Sequence, residues 1–133
     1  EHITKLAVNS VSCANAFSQM AMVAALEGPQ NSVSTMREEF MKRRDVVVDG
    51  LHSIPGITYP MPEGAFYAFP SIKGTGLTSE EFEAKALHEA GVAVLSGSAF
   101  GSYGNGYVRL SYANSVKNLQ KAIERLRVMV SGL

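Results

Sequence analysis

At 133 residues the chain is the size of one domain, with a single core that buries about two thirds of the unfolded surface. Twelve Lys and Arg balance twelve Asp and Glu, which leaves no net charge to draw nucleic acid or an anionic membrane, and neither is expected as a partner. The lone cysteine, Cys13, excludes an internal disulfide and fits a reducing, cytoplasmic setting. The strongest apolar run, residues 20–26, is too short to span a bilayer, and no basic segment leads into an apolar one at the N-terminus. Because the chain opens on Glu1, a processed product or a piece of something longer is expected.

Residues 1–12 carry Ile3, Leu6 and Val8 without a convincing period, and Asn9, Ser10 and Ser12 then offer helix-start chemistry. Residues 13–27 read as a helix with Phe17, Met20, Ala21 and Ala24 at helical spacing. Met22, Val23 and Ala25 make it apolar on other sides as well. Such a helix is of the buried kind, so segment 1–28 is expected to lack its natural cover and to be displaced, swapped or paired with another chain; the alternative is an ordinary core helix. Gly28-Pro29 stops it and marks the best boundary in the chain. Residues 31–53 read as a long helix with Val33, Met36, Phe40, Val47, Leu51 and Ile54 on one stripe. Its charge run, Arg37 to Asp45, reads as a solvated face.

Three short strands follow the long helix, interleaved with two more helices. The first is Ala65-Phe66-Tyr67-Ala68-Phe69, approached through the stiff Tyr59-Pro60-Met61-Pro62-Glu63-Gly64; strand alternation puts Phe66 and Tyr67 on opposite faces. Thr78 and Glu81 form a capping box for a helix over 79–90 that Gly91 stops. The second strand is Val92 to Leu95. The glycine-dense run from Ser96 to Gly106 could suggest a phosphate cradle, but that device requires the loop to open a helix, and this loop leads into a strand. Asn105-Gly106 reads as a tight turn instead. A terminal helix, capped by Asn114 or Ser115, carries Val116, Leu119, Ile123, Leu126 and Val130 on one stripe. The fold class expected is a two-layer α+β domain: a three-stranded sheet from 65–69, 92–95 and 107–112, covered on one face by helices at 31–53, 79–90 and 115–130.

The third strand, Tyr107-Val108-Arg109-Leu110-Ser111-Tyr112-Ala113, holds the one chemically pointed residue. Alternation sends Val108, Leu110 and Tyr112 to one face and Tyr107, Arg109 and Ser111 to the other. A guanidinium in mid-strand is costly unless it meets a carboxylate or looks into a wet cleft, and its planar fork fits a carboxylate bidentately. His2, His52 and His88 are far apart without ligand-spaced companions, so no metal site is expected. No Ser, Cys or Thr sits in a nucleophile elbow, so no catalytic residue is assigned.

The runs Pro62-Glu63-Gly64-Ala65-Phe66-Tyr67-Ala68-Phe69, Gly91-Val92-Ala93-Val94-Leu95-Ser96-Gly97-Ser98-Ala99-Phe100-Gly101 and Gly106-Tyr107-Val108-Arg109-Leu110-Ser111-Tyr112-Ala113 resemble, in order and spacing, the C-terminal part of class I/II aminotransferases, the aspartate aminotransferase-like enzymes of fold type I. The run from Ser12 to Gln30 resembles the family's helix preceding the small domain. The resemblance implies that residues 1–28 are the tail of the large domain with its connecting helix, and that 29–133 are the small domain. It implies a pyridoxal 5'-phosphate-dependent parent that moves an amino group between amino acids and 2-oxo acids, as a homodimer. It also implies that Arg109 binds the substrate α-carboxylate and that Phe66 neighbours the pocket. The family's Schiff-base lysine lies in a Ser-rich stretch before Gly-x-Arg, which this chain lacks; Lys5, Lys42, Lys73, Lys85, Lys117 and Lys121 are all in other contexts. No cofactor-binding residue is therefore assigned within the chain, and the fragment alone is expected to be inactive. Self-association through residues 1–28 is a further expectation. Ser96 stands where the family often has Pro, a difference of loop stiffness. Three rivals stay open: a carbon-sulfur lyase of the same fold, the effector domain of an aminotransferase-like transcriptional regulator, and a purely structural domain.

Overall fold

A computed structural model describes all 133 residues. They divide into two compact units, Glu1–Thr35 and Met36–Leu133, with the division inside a helix.

The first unit contains helices α1 (His2–Ser10) and α2 (Ala16–Glu27). Residues 2–10 form a helix that was not expected from their apolar pattern, although Ile3, Leu6 and Ala7 stand at the i, i+3, i+4 spacing of one helix face. The chain turns at Ser12, which takes a positive φ of 58°. The start of α2 is set by Asn15, whose side chain accepts the Ser18 N–H at 2.8 Å, and not by Asn9, Ser10 or Ser12. Neither helix buries a single residue, and Phe17 is 88% exposed. The long helix α3 (Asn31–His52) straddles the division and becomes buried only towards its C-terminal end, at Val47, Val48 and Leu51.

In the second unit the three strands are shorter than the sequence pattern predicts: β1 (Tyr67–Ala68), β2 (Leu95–Ser96) and β3 (Val108–Ser111). They form one antiparallel sheet in the order β1-β3-β2, with Tyr67 opposite Ser111 and Leu95 opposite Arg109. Two local causes shorten them. Ala65 sits at φ +61°, which breaks the extended backbone ahead of β1. The Val92 N–H bonds back to the Ala86 carbonyl at 2.7 Å, closing the end of α4 (Ser79–His88) around the left-handed Gly91, so pairing begins only at Leu95. The predicted capping box at Thr78 and Glu81 is present.

Helices α4 and α5 (Val116–Ser131, capped by Ser115) and the buried end of α3 cover one sheet face. Between the layers lie Leu51, Phe82, Ala86, Leu119 and Leu126 from the helices and Ala68, Val108 and Tyr112 from the sheet side. Each of these helices contributes a 3.6-spaced stripe and the sheet a period-2 face, so the two layers close one core.

The glycine-rich connection from β2 to β3 folds as two 3₁₀ turns, Gly97–Phe100 and Ser102–Gly104. Gly97 and Gly104 lie backbone to backbone; a Cβ on either would collide with the other's carbonyl oxygen. Asn105 (φ −61°, ψ 130°) and Gly106 (φ +80°) then form a turn closed by the Tyr107 N–H to the Gly104 carbonyl at 3.1 Å. These angles are those of a type II turn, which requires a positive φ only at the glycine. Gly104→Ala should therefore destabilise the chain by about 1–3 kcal/mol, measurable as a lower urea midpoint; an unchanged midpoint would show that the loop relaxes around the new methyl.

Candidate functional site

The sheet face opposite the core is open and carries aromatic and cationic side chains. Strand alternation on β3 places Arg109 on that face, and the antiparallel register brings Tyr67 of β1 and Leu95 of β2 beside it. Its guanidinium carbon sits 4.5 Å from the Tyr67 ring centre and 4.3 Å from that of Phe100, which the first 3₁₀ turn delivers after β2. Arg109 is half-buried and takes part in none of the ion pairs of the chain. Its charge is compensated by ring faces, and the in-plane N–H edge of the fork has no carboxylate of the chain on it. A depression of about 180 Å³ opens here, lined by Tyr67, Ala93, Val94, Leu95, Arg109, Leu110 and Ser111.

The rings around Arg109 are backed by others. Phe66 packs 4.4 Å from Tyr67, and Phe40 lies 6.2 Å beyond Phe66. On the other side Phe69 meets Phe100 edge to face at 5.9 Å and stacks on Tyr107 at 5.6 Å, with the Lys73 ammonium 4.9 Å from the Tyr107 ring centre. The expected alternation at Phe66 and Tyr67 is not what is found: they are 40% and 39% exposed, neither is core, and their rings touch. Phe66 precedes β1, which begins at Tyr67, so strand alternation does not govern the pair; the residue before them, Ala65, is left-handed. A non-glycine residue held there costs about 1–2 kcal/mol, and Tyr112 offsets it. Its hydroxyl donates to the Ala65 carbonyl at 2.8 Å, and its backbone N–H to the Phe66 carbonyl at 2.9 Å. Burial pushes the Tyr112 phenol above its ordinary value, which the nearby Arg44 charge partly offsets.

Phe66, expected beside the pocket, does not line the depression; it supports Tyr67 from behind. Tyr67 and Phe100 are the residues that sequence reasoning passed over, one read as ordinary strand and the other as loop. The register fixed by Arg109 would have placed Tyr67 on its face, whereas nothing in the pattern announces Phe100. A roomier cavity of about 380 Å³ lies between α5 and the segment 91–93, with Asn114, Asn118, Lys121 and Arg125 on its polar side and no carboxylate or histidine in its lining. No group of His, Cys, Asp and Glu is arranged to hold a metal ion, and no helix is long and apolar enough to cross a membrane.

Residues 1–126 match the family model described as aminotransferase class I and II. The chain belongs to this family. It is 45% identical over 98% of its length to a probable N-acetyl-LL-diaminopimelate aminotransferase of Bacillus subtilis, covering 33% of that protein. It is 40% identical over 99% of its length to an aspartate aminotransferase of Pyrococcus horikoshii, covering 34%. Among solved structures, an aromatic aminotransferase from Pyrococcus horikoshii superposes with a TM-score of 0.91 at 41% identity, over 96% of this chain and 35% of that one. The aspartate aminotransferase of Rhizobium meliloti gives 0.87 at 38%, over 95% and 34%. The chain thus spans about a third of the length of the aminotransferases it matches.

No lysine lines the depression at Arg109. Lys5, Lys42 and Lys85 pair with Glu1, Glu39 and Glu89, and Lys73 rests on Tyr107. The depression is also smaller than the roughly 300–1,000 Å³ of clefts that hold molecules of drug or cofactor size.

Replacing Tyr112 by Phe removes the bond to Ala65 and should cost about 1 kcal/mol at neutral pH. A phenol whose folded value is raised stabilises fully below its unfolded value of about 10 and loses that contribution as pH climbs through the folded one. Urea unfolding of the unsubstituted chain should accordingly show stability falling above about pH 10, and the fall should be shallower in Tyr112→Phe; identical slopes would remove Tyr112 from the account.

Proposed function

We infer that this chain is the small C-terminal domain, with its preceding helices, of a pyridoxal phosphate-dependent aminotransferase, and that Arg109 binds the substrate α-carboxylate. The observation that carries the reading is the state of Arg109 in a chain of this family: half-buried on the open sheet face, held between rings, with its fork unpaired. A buried or half-buried arginine that served only the fold would be expected on a carboxylate of its own chain.

The chemistry follows from the fork. Both substrates of amino transfer, the amino acid and the 2-oxo acid, carry the same carboxylate next to the reacting carbon, so one guanidinium serves both directions. Two parallel N–H···O bonds fix position and rotation together, which decides the Cα bond presented for reaction. Leu95 and Tyr67 stand beside Arg109 on the same sheet face and give the fork an apolar surround. Pyridoxal phosphate, held by residues outside this chain, supplies the electron sink. The uncovered apolar surface of α1 and α2 fits a segment covered in the full protein by the remaining two thirds or by a second copy, with a homodimer as the expected assembly.

In the full-length protein that carries this sequence, Arg109→Ala should lower kcat/KM for the amino donor by about 100-fold or more, the worth of two hydrogen bonds to a charged group at about 1.5 kcal/mol each. Arg109→Lys keeps the charge and loses the fork, and should lose roughly tenfold. Cofactor loading, read from its absorbance, should stay unchanged in both. Undiminished kcat/KM in Arg109→Ala would remove the carboxylate role.

A further inference from the structure

If Arg109 grips a carboxylate, something must hold its long, flexible side chain ready without occupying the fork. An ion pair could do so, but the substrate would then have to displace it at each turnover. The only close partners the guanidinium has are the two rings, at 4.3 and 4.5 Å, and they come from opposite neighbours of β3: Tyr67 from β1, and Phe100 from the turn that follows β2. Each ring has a second ring against it, Phe66 on Tyr67 at 4.4 Å and Phe69 edge to face on Phe100 at 5.9 Å. Ring faces attract the delocalised cation across its plane and take no in-plane N–H, so the hydrogen-bonding edge stays open to solvent and substrate.

The geometry points to Tyr67 and Phe100 as positioning residues that orient the Arg109 guanidinium for the substrate carboxylate. The assignment rests on the reading of Arg109 given above and extends it to two residues with no expected contact to the reacting atoms. Its chemical content is the π-face. The Tyr67 hydroxyl is not needed, and a side chain of similar bulk without a ring will not substitute.

The test uses the full-length holoenzyme. A panel of L-amino acids with 2-oxoglutarate or pyruvate as acceptor first identifies the best donor for the unsubstituted protein, and KM and kcat for that donor are then followed through Arg109→Ala, Tyr67→Leu, Phe100→Leu, Tyr67→Phe and Phe100→Tyr. Tyr67→Leu and Phe100→Leu should each raise KM about 5- to 30-fold, the range of about 1–2 kcal/mol for a desolvated cation on a ring, with a smaller change in kcat. Tyr67→Phe and Phe100→Tyr should restore KM to within about twofold. In case a leucine variant misfolds, pentafluorophenylalanine placed at position 100 keeps the ring's shape while reversing its quadrupole, and should raise KM with the melting temperature held. If Arg109→Ala is crippled but the leucine and pentafluoro variants keep the original KM, the clamp is wrong and the carboxylate role stands. If Arg109→Ala is itself harmless, or no donor is accepted, the underlying reading fails and the clamp falls with it.

Discussion

A guanidinium in the middle strand of a three-stranded sheet has to be compensated, and in the second unit two aromatic rings meet that constraint in place of a carboxylate. Pairing Arg109 with a carboxylate would meet the cost of half-burial but close the fork. Aromatic faces meet it while leaving the N–H edge free. The rings must then arrive from both sides of β3, which is why the irregular features of the chain cluster here. The left-handed Ala65 lies just before β1, the strand that presents Tyr67 to Arg109. The Gly97 and Gly104 contact folds the connection after β2 so tightly that Phe100 returns over the same side chain. Both features depart from regular backbone, and both are stabilised from the core side or from within the loop: Tyr112 bonds Ala65, and the Ser79 hydroxyl accepts the Gly106 N–H at 2.9 Å. Strain kept beside a candidate site and compensated by its surroundings is the pattern expected of a preorganised group.

The order of elements in the second unit was legible because its signals are local and mutually consistent. Thr78 with Glu81, Gly91 and Ser115 each act within a few residues, and the stripes on α4 and α5 have a period that only a helix satisfies. Strand lengths were less legible because a β-run becomes a ladder only where a partner reaches it. Val92 and Val94 have the composition of a strand, but the Val92 N–H is taken by Ala86, and the run stays extended and unpaired until Leu95. At the other end of the chain, the helix over residues 2–10 was missed because its apolar face rests on few residues, Ile3, Leu6 and Ala7, and buries none of them within the chain.

For the site, the strand parity of Arg109 was enough to put it on the face away from the core, because alternation is a property of the backbone alone. The same parity holds for Tyr67, which β1 pairs opposite Ser111 and so sets on the Arg109 face, but it does not extend to Phe66, which precedes the strand. Phe100 could not have been found by periodicity at all. It lies eight residues in sequence before Val108 on a connection whose path is set by two glycines meeting backbone to backbone, a contact without a periodic signature. What carried the family assignment was instead the ordered succession of three motifs, and the match over residues 1–126 bears on the same stretches.

The two units make opposite physical demands. In Met36–Leu133 the core is closed, and no buried side-chain nitrogen or oxygen lacks a partner. In Glu1–Thr35, helices α1 and α2 of 9 and 12 residues bury nothing. Isolated helices shorter than about 12–15 residues are marginal in water even with good helix formers, and those in α2 include Phe17, Met20, Met22 and Leu26, all exposed. A helix apolar around most of its circumference gains stability only from surfaces on several sides. The composition of α2 therefore suits contacts that this chain, about a third of the length of the aminotransferases it matches, does not itself supply. The closed unit carries the arginine, and the open one carries the uncovered apolar surface.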